Sequence, residues 1–130
     1  GALVADALGL PFVYVRSSAK DHGMKNLVEG YLEEGKKVVV VEDLISTGGS
    51  SLKAVAALRE EKQANVLGMV AIFTYQFPLA QEQFAAANVE LTTLSNYNAL
   101  VEAAAEINYI DESVVPTLQE WRKDPSNWNK

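Results

Sequence analysis

Apolar residues in this chain fall into two alternating patterns. Short runs rich in β-branched and aromatic residues, Phe12–Val15, Val38–Val41, Val66–Phe73 and Val89–Leu94, read as strands. Between them apolar residues recur at helical spacing. Ala2–Leu8 (ALVADAL) is built of helix formers, with Gly9 as a stop before Pro11. Leu52, Val55, Ala56 and Leu58 share a helical period that runs to about Lys62. Pro78 opens a helix to about Ala87, in a first turn where its missing N–H costs nothing. Ser95 or Asn96 caps another through Ala105, and Asp111–Lys123 reads as a last helix in spite of Pro116. Ile107–Ile110 fits neither class cleanly, and Asp124–Trp128 reads as a tail.

The unbroken aliphatic run Val38–Val41 suits a central parallel strand covered on both faces. With the β-loop-β-α-β-α-β-α order, it predicts one α/β domain over residues 1–130, a mostly parallel sheet flanked by helices. No internal repeat, linker or second domain is visible. The segment between the first two strands, Arg16–Gly30 (RSSAKDHGMKNLVEG), is polar and punctuated by glycine, with little periodicity. A loop of that length in a compact domain is more often functional than not.

Composition narrows the function classes. The 130 residues, 48% hydrophobic and 22% charged, are ordinary for one globular domain and exclude a disordered tail or low-complexity linker. A net charge of −6 argues against a nucleic-acid scaffold, which needs clustered Lys and Arg. An anionic small substrate remains compatible, because local fields need not follow the overall sign. The absence of cysteine excludes disulfides and thiolate chemistry, and the single histidine, His22, excludes multi-histidine metal sites. No apolar run approaches the ~20 residues that span a bilayer, and no signal-peptide pattern is present, so a cytoplasmic location is expected. The chain opens at Gly1, without methionine, in what reads as the middle of a helix. The expectation is that an upstream segment has been removed.

The chemistry concentrates in VVVVEDLISTGGSS, residues 38–51. Glu42 and Asp43 stand at the carboxyl end of the aliphatic strand, the edge where open parallel sheets bind ligands. The turn that follows, Ser46-Thr47-Gly48-Gly49-Ser50, has the ingredients of an anion cradle. Glycines permit positive φ and close backbone approach, hydroxyls add hydrogen bonds, and a helix N-terminus carries about half a positive charge. Carboxylates that accept from ribose hydroxyls beside a turn that holds a phosphate describe a sugar-phosphate site. The stretch is neither a Walker A loop nor a dinucleotide fingerprint. A Ser-Thr-Gly-Gly turn alone is often an ordinary strand-to-helix connection, and two acids are often a solvated edge. The specificity lies in their combination.

This combination closely resembles the phosphoribosyl pyrophosphate signature of the type I phosphoribosyltransferases: apolar strand, two acids, two apolar residues, then a turn rich in hydroxyls and glycine. Within that family, Lys20-Asp21-His22-Gly23, with Arg16 a few positions before it, is similar to the mobile catalytic loop of the orotate phosphoribosyltransferases. The resemblance runs from Gly1 to about Leu100. It implies transfer of ribose 5-phosphate from phosphoribosyl pyrophosphate to orotate, giving orotidine 5′-phosphate and pyrophosphate, with Mg²⁺ as cofactor and a homodimer as the working form. By the same resemblance, Lys20, His22 and Arg16 neutralise the pyrophosphate. Glu42 and Asp43 hold the ribose hydroxyls, partly through Mg²⁺ or its waters, and Asp43 faces the charge that develops on the sugar. Ser46, Thr47, Gly48, Gly49 and Ser50 wrap the 5′-phosphate. No side chain is implied as a direct metal ligand, and no nucleic acid or membrane as a partner.

Three departures from the family pattern stand out. Ser17 occupies a position that is usually basic. Phe73-Thr74-Tyr75-Gln76-Phe77 lacks the arginine that many members place there for the orotate carboxylate. The N-terminal hood and first strands of the family do not precede Gly1. Two other readings share these motifs: a non-catalytic phosphoribosyl-binding regulator and a purine phosphoribosyltransferase.

Overall fold

The computed structural model describes residues 1–18 and 26–128. Its helices are α1 (Ala2–Leu8), α2 (Gly49–Lys62), α3 (Pro78–Ala86), α4 (Tyr97–Glu106) and α5 (Val115–Lys123). Its strands are β1 (Tyr14–Val15), β2 (Val28–Glu29), β3 (Lys37–Ile45), β4 (Asn65–Thr74) and β5 (Leu91–Asn96). Strands β3, β4 and β5 form a parallel sheet in that order, and β1 pairs with β2 as a separate antiparallel ribbon. Successive parallel strands are joined through α2 and α3, as strands running in one direction require. The α/β class expected from the alternating patterns is the class found.

The β3–β4 ladder runs from Lys37↔Asn65 to Ile45↔Thr74 with one irregularity between Val38 and Val39, opposite Leu67. Helices α2 and α3 pack on one face of the sheet. Ile45, Val55, Met69, Ala71, Ala80, Phe84 and Val89 form the buried cluster there. A second cluster, Val28, Ala57, Leu58 and Ala64, attaches the β1–β2 ribbon to the far side of α2. Val40 and Val66 pack against both clusters and so join them. Arg59 ties α2 to the end of α3, its Nη1 donating to the Ala87 carbonyl at 2.8 Å.

Several boundaries differ from the sequence reading, each for a local reason. The first strand keeps only Tyr14 and Val15 of the predicted Phe12–Val15. Its partner β2 lies inside the segment read as structureless, because a two-residue strand leaves no periodicity to detect. Helix α2 starts at Gly49, earlier than the apolar spacing showed, and Asn96 caps α4 by accepting from the Ala99 N–H at 3.0 Å. The last helix splits into a 3₁₀ turn at Glu112–Val114 and α5, whose first turn accommodates Pro116.

The larger correction concerns Val38–Val41. Strand β3 is an outer member of the described sheet; helices cover its α2–α3 face, while on the other the chain start at Gly1 comes near Val41. On the opposite face Val39, Val41, Val70, Ile72 and Leu94 remain exposed, Ile72 at 60% and Leu94 at 85%. An unbroken apolar run records that both faces prefer to be dry, but it does not supply the covering layer. Among the described residues, no helix is long and apolar enough to cross a membrane.

Two neighbouring positions on β4 test this two-faced arrangement. Met69 is 1% exposed, so Met69→Ala should lower unfolding free energy by about 2–5 kcal/mol. Ile72→Ala, on the open face, should change it by no more than about 0.5 kcal/mol. Urea denaturation of the two variants gives both values, and equal losses would contradict the one-sided packing.

Candidate functional site

Because β3 and β4 run parallel, their carboxyl ends lie side by side. Alternation along β3 sends Glu42 and Asp43 to opposite faces of the sheet, and they differ accordingly: Glu42 is half-buried and Asp43 exposed. One oxygen of Asp43 accepts from the Leu44 N–H at 2.7 Å, which fixes the carboxylate at the strand end. Ile45 then anchors the strand with no exposed surface.

The turn after Ile45 departs from regular structure at Gly48, whose φ of 86° lies in the left-handed region. A Cβ here would stand 2.7 Å from the Phe84 ring. Glycine is therefore required twice, once for the backbone angle and once for contact with α3. The Leu52 N–H donates to the Gly48 carbonyl at 2.9 Å, which starts α2. Among the described residues, no side chain caps the helix at its start, and a Cβ at Gly49 would meet nothing within 4 Å. The first amides of α2 are thus open to an approaching anion, beside exposed Ser46, Thr47 and Ser50. Ser51, 2% exposed, belongs to the core.

Arg16 follows the end of β1. Its Nε donates to the Ser18 carbonyl at 3.2 Å, and its Nη1 pairs with Glu29 at 3.4 Å. With Tyr14, Ser17, Ser18 and Glu29 it lines a surface cleft. Lys20 and His22 lie outside the described residues. On the far side of that segment, both oxygens of Glu61 on α2 accept from the Leu27 and Val28 amides at 2.9–3.1 Å. A carboxylate that accepts several backbone N–H groups is a strong local anchor.

The next strand end carries features that the sequence reading did not connect. The Tyr75 N–H donates to the Ile45 carbonyl at 3.1 Å, continuing the ladder past the strands. Tyr75 stacks on Phe77 with centroids 5.2 Å apart, and Trp121 of α5 meets both edge-on at 5.9 and 5.8 Å. Gln76 between them has φ 57°, a conformation that costs a non-glycine residue about 1–2 kcal/mol. Its carbonyl accepts from Arg122 Nη1 at 2.7 Å, and its Oε1 from the Asn98 N–H at 3.4 Å. Burial raises the Tyr97 hydroxyl above its ordinary pKa; the ring packs against Tyr75 and Trp121. Phe84, Glu61 and Arg122 are the contributors that sequence reasoning missed. A long-range contact leaves no local pattern.

A second cleft, between α3 and strands β4 and β5, is lined by Thr74, Gln76, Phe84, Leu91 and Thr93. Neither the acids nor the glycine turn line this cleft.

Comparison with known proteins bears on this arrangement. The family model for the phosphoribosyl transferase domain matches residues 1–96. An orotate phosphoribosyltransferase of Bacteroides thetaiotaomicron is 61% identical over 129 residues, covering 99% of this chain and 60% of that protein. Another from Bacteroides fragilis is 62% identical over 128 residues, covering 98% of this chain and 60% of the relative. The chain therefore spans about three-fifths of the length of these curated relatives. The crystal structure of orotate phosphoribosyltransferase from Aeropyrum pernix superposes with a TM-score of 0.70 at 29% identity, over 84% of this chain and 58% of that one.

Gly48→Ala tests the turn directly. It should destabilise the fold by about 2–4 kcal/mol, from left-handed strain plus overlap with Phe84. Pairing it with Phe84→Leu should recover part of that loss in urea denaturation. An unchanged midpoint in the single variant would mean that the turn relaxes freely.

Proposed function

This chain belongs to the phosphoribosyl transferase domain family, and on that premise we propose that its protein is an orotate phosphoribosyltransferase. The reaction breaks the bond between C1 and the pyrophosphate oxygen of phosphoribosyl pyrophosphate and forms a bond from C1 to a ring nitrogen of orotate, whose N–H proton is released to the medium. Orotidine 5′-phosphate and pyrophosphate leave. The observation that carries the reading is the left-handed glycine turn opening α2 directly after the Glu42–Asp43 strand end. Identity of 61–62% over nearly the whole chain to relatives of that name supports the substrate. All 130 residues are read as part of one phosphoribosyltransferase domain.

Each residue has a role that follows from charge. The α2 amides and the hydroxyls of Ser46, Thr47 and Ser50 take the 5′-phosphate, and Gly48 and Gly49 let the backbone approach it. Glu42 and Asp43 hold the ribose hydroxyls. As pyrophosphate departs, positive charge grows on the sugar and negative charge on the leaving group. Asp43, exposed at the strand end, stabilises the first. Arg16, Lys20 and His22 stabilise the second, where one such group is typically worth about 3 kcal/mol.

Mg²⁺ fits this donor set in one particular way. Two carboxylates at a strand end suit an ion that keeps most of its waters and takes its remaining oxygens from a diphosphate. Glu42 and Asp43 would meet it through the ribose or its waters, and it would supply charge neutralisation on the leaving group. The working form is a homodimer in the cytoplasm.

The first test is calorimetric titration of this chain with phosphoribosyl pyrophosphate, with and without Mg²⁺. Saturable Mg²⁺-dependent binding that Asp43→Asn weakens at least about tenfold is expected. In the full-length protein the same substitution should lower kcat with orotate about 100-fold or more. Consumption of a purine base in place of orotate would overturn the substrate assignment.

A further inference from the structure

Four non-glycine residues among the described ones have positive φ. Gln63, Asn88 and Asn108 follow helix ends, where a left-handed residue is the usual stop. Gln76 follows a strand. Three elements hold it there: Thr74 Oγ1 accepts its N–H, the Asn98 N–H donates to its Oε1, and Arg122 donates to its carbonyl. Two buried polar atoms of the same residues, Arg122 Nε and Asn98 Oδ1, find no partner among the described residues. Buried polar atoms left unpaired beside a strained backbone are expensive, and a connection of this length does not need them. Strain over-determined by its surroundings concentrates where geometry serves function.

The location states which function. If the β3 end holds the sugar phosphate, the end of β4 is the edge beside it within the described sheet. Residues 75–77 are the continuation of that neighbour, bonded to β3 through the Tyr75 N–H. Helix α5 delivers to them both Trp121, packed on Tyr75 and Phe77, and the Arg122 guanidinium. We propose that Arg122 is a positioning residue for the acceptor base: it bonds the Gln76 carbonyl and holds Tyr75-Gln76-Phe77 in the conformation that shapes the base side of the site. The inference rests on the phosphoribosyltransferase reading above.

The test is steady-state kinetics of the full-length protein, with orotate and phosphoribosyl pyrophosphate varied separately. Arg122→Gln should raise KM for orotate about tenfold and leave KM for phosphoribosyl pyrophosphate within about twofold. Adding Gln76→Gly should bring the orotate KM back to within about threefold of wild type, because glycine takes a φ near 57° unaided. A purely structural role would instead raise both KM values or lower only the active fraction, and glycine would not rescue it. Either that pattern or an unchanged orotate KM overturns the proposal. If Arg122→Gln does not fold, Arg122→Lys retains one donor and should give a smaller rise confined to the base, judged by the same rule. If the wild-type protein consumes a different base, the orotate reading fails separately, and the variants are scored on the KM of that base.

Discussion

Because β3 and β4 pair in parallel from Lys37↔Asn65 to Ile45↔Thr74, both strands end at one edge, and that ladder places the acids, the glycine turn and the Tyr75–Phe77 segment. It sets Glu42 opposite Ala71 and Leu44 opposite Phe73. The Tyr75 N–H extends it by one more bond to the Ile45 carbonyl. The acids, the glycine turn and the aromatic segment thus meet although about thirty residues of chain separate them. Parallel pairing also obliges the chain to cross back through a helix. That is how α2 comes to begin at the carboxyl edge, with its unpaired amides toward whatever binds there.

The helical layer secures this edge from one side only. Phe84 fills the place where a side chain at position 48 would be, so α3 and the turn are shaped against each other. Arg59 holds α2 against the end of α3, and Glu61 takes the returning chain at Leu27 and Val28. Two residues apart on one helix, they fasten different neighbours to α2. The other face of the sheet, with Val39, Ile72 and Leu94, has no comparable layer among the described residues. A contiguous apolar face of this kind favours association with another surface.

Much of the architecture was legible from local pattern. The boundaries of α1, with Gly9 as a left-handed cap, and of α3, with Pro78 in its first turn, emerged as read. Helix α4 begins after an Asn96 cap, one of the two residues the sequence suggested. Those signals are short-range: a cap, a stop or a proline acts on its own turn. The four valines state a preference for burial and not what provides it, and in the described sheet they lie on an outer strand. Strand β2 escaped notice because two residues cannot display a period. Arg122 sits in a stretch of unremarkable polarity, and its significance is a contact with Gln76, 46 residues away.

The amino-acid sequence alone marked the family: two acids after an aliphatic strand, a turn rich in glycine and hydroxyls, and basic residues in the polar segment before them. These depend on residue type and spacing within a few positions, where chain geometry leaves little freedom. Tertiary structure decided how the pieces face one another. It left Glu42 half-buried and Asp43 exposed, seated Gly48 against Phe84, and brought Trp121 and Arg122 from the last helix to the end of β4. Such contacts arise only when distant segments compete for the same buried space. Packing settles that competition, and no local pattern encodes it.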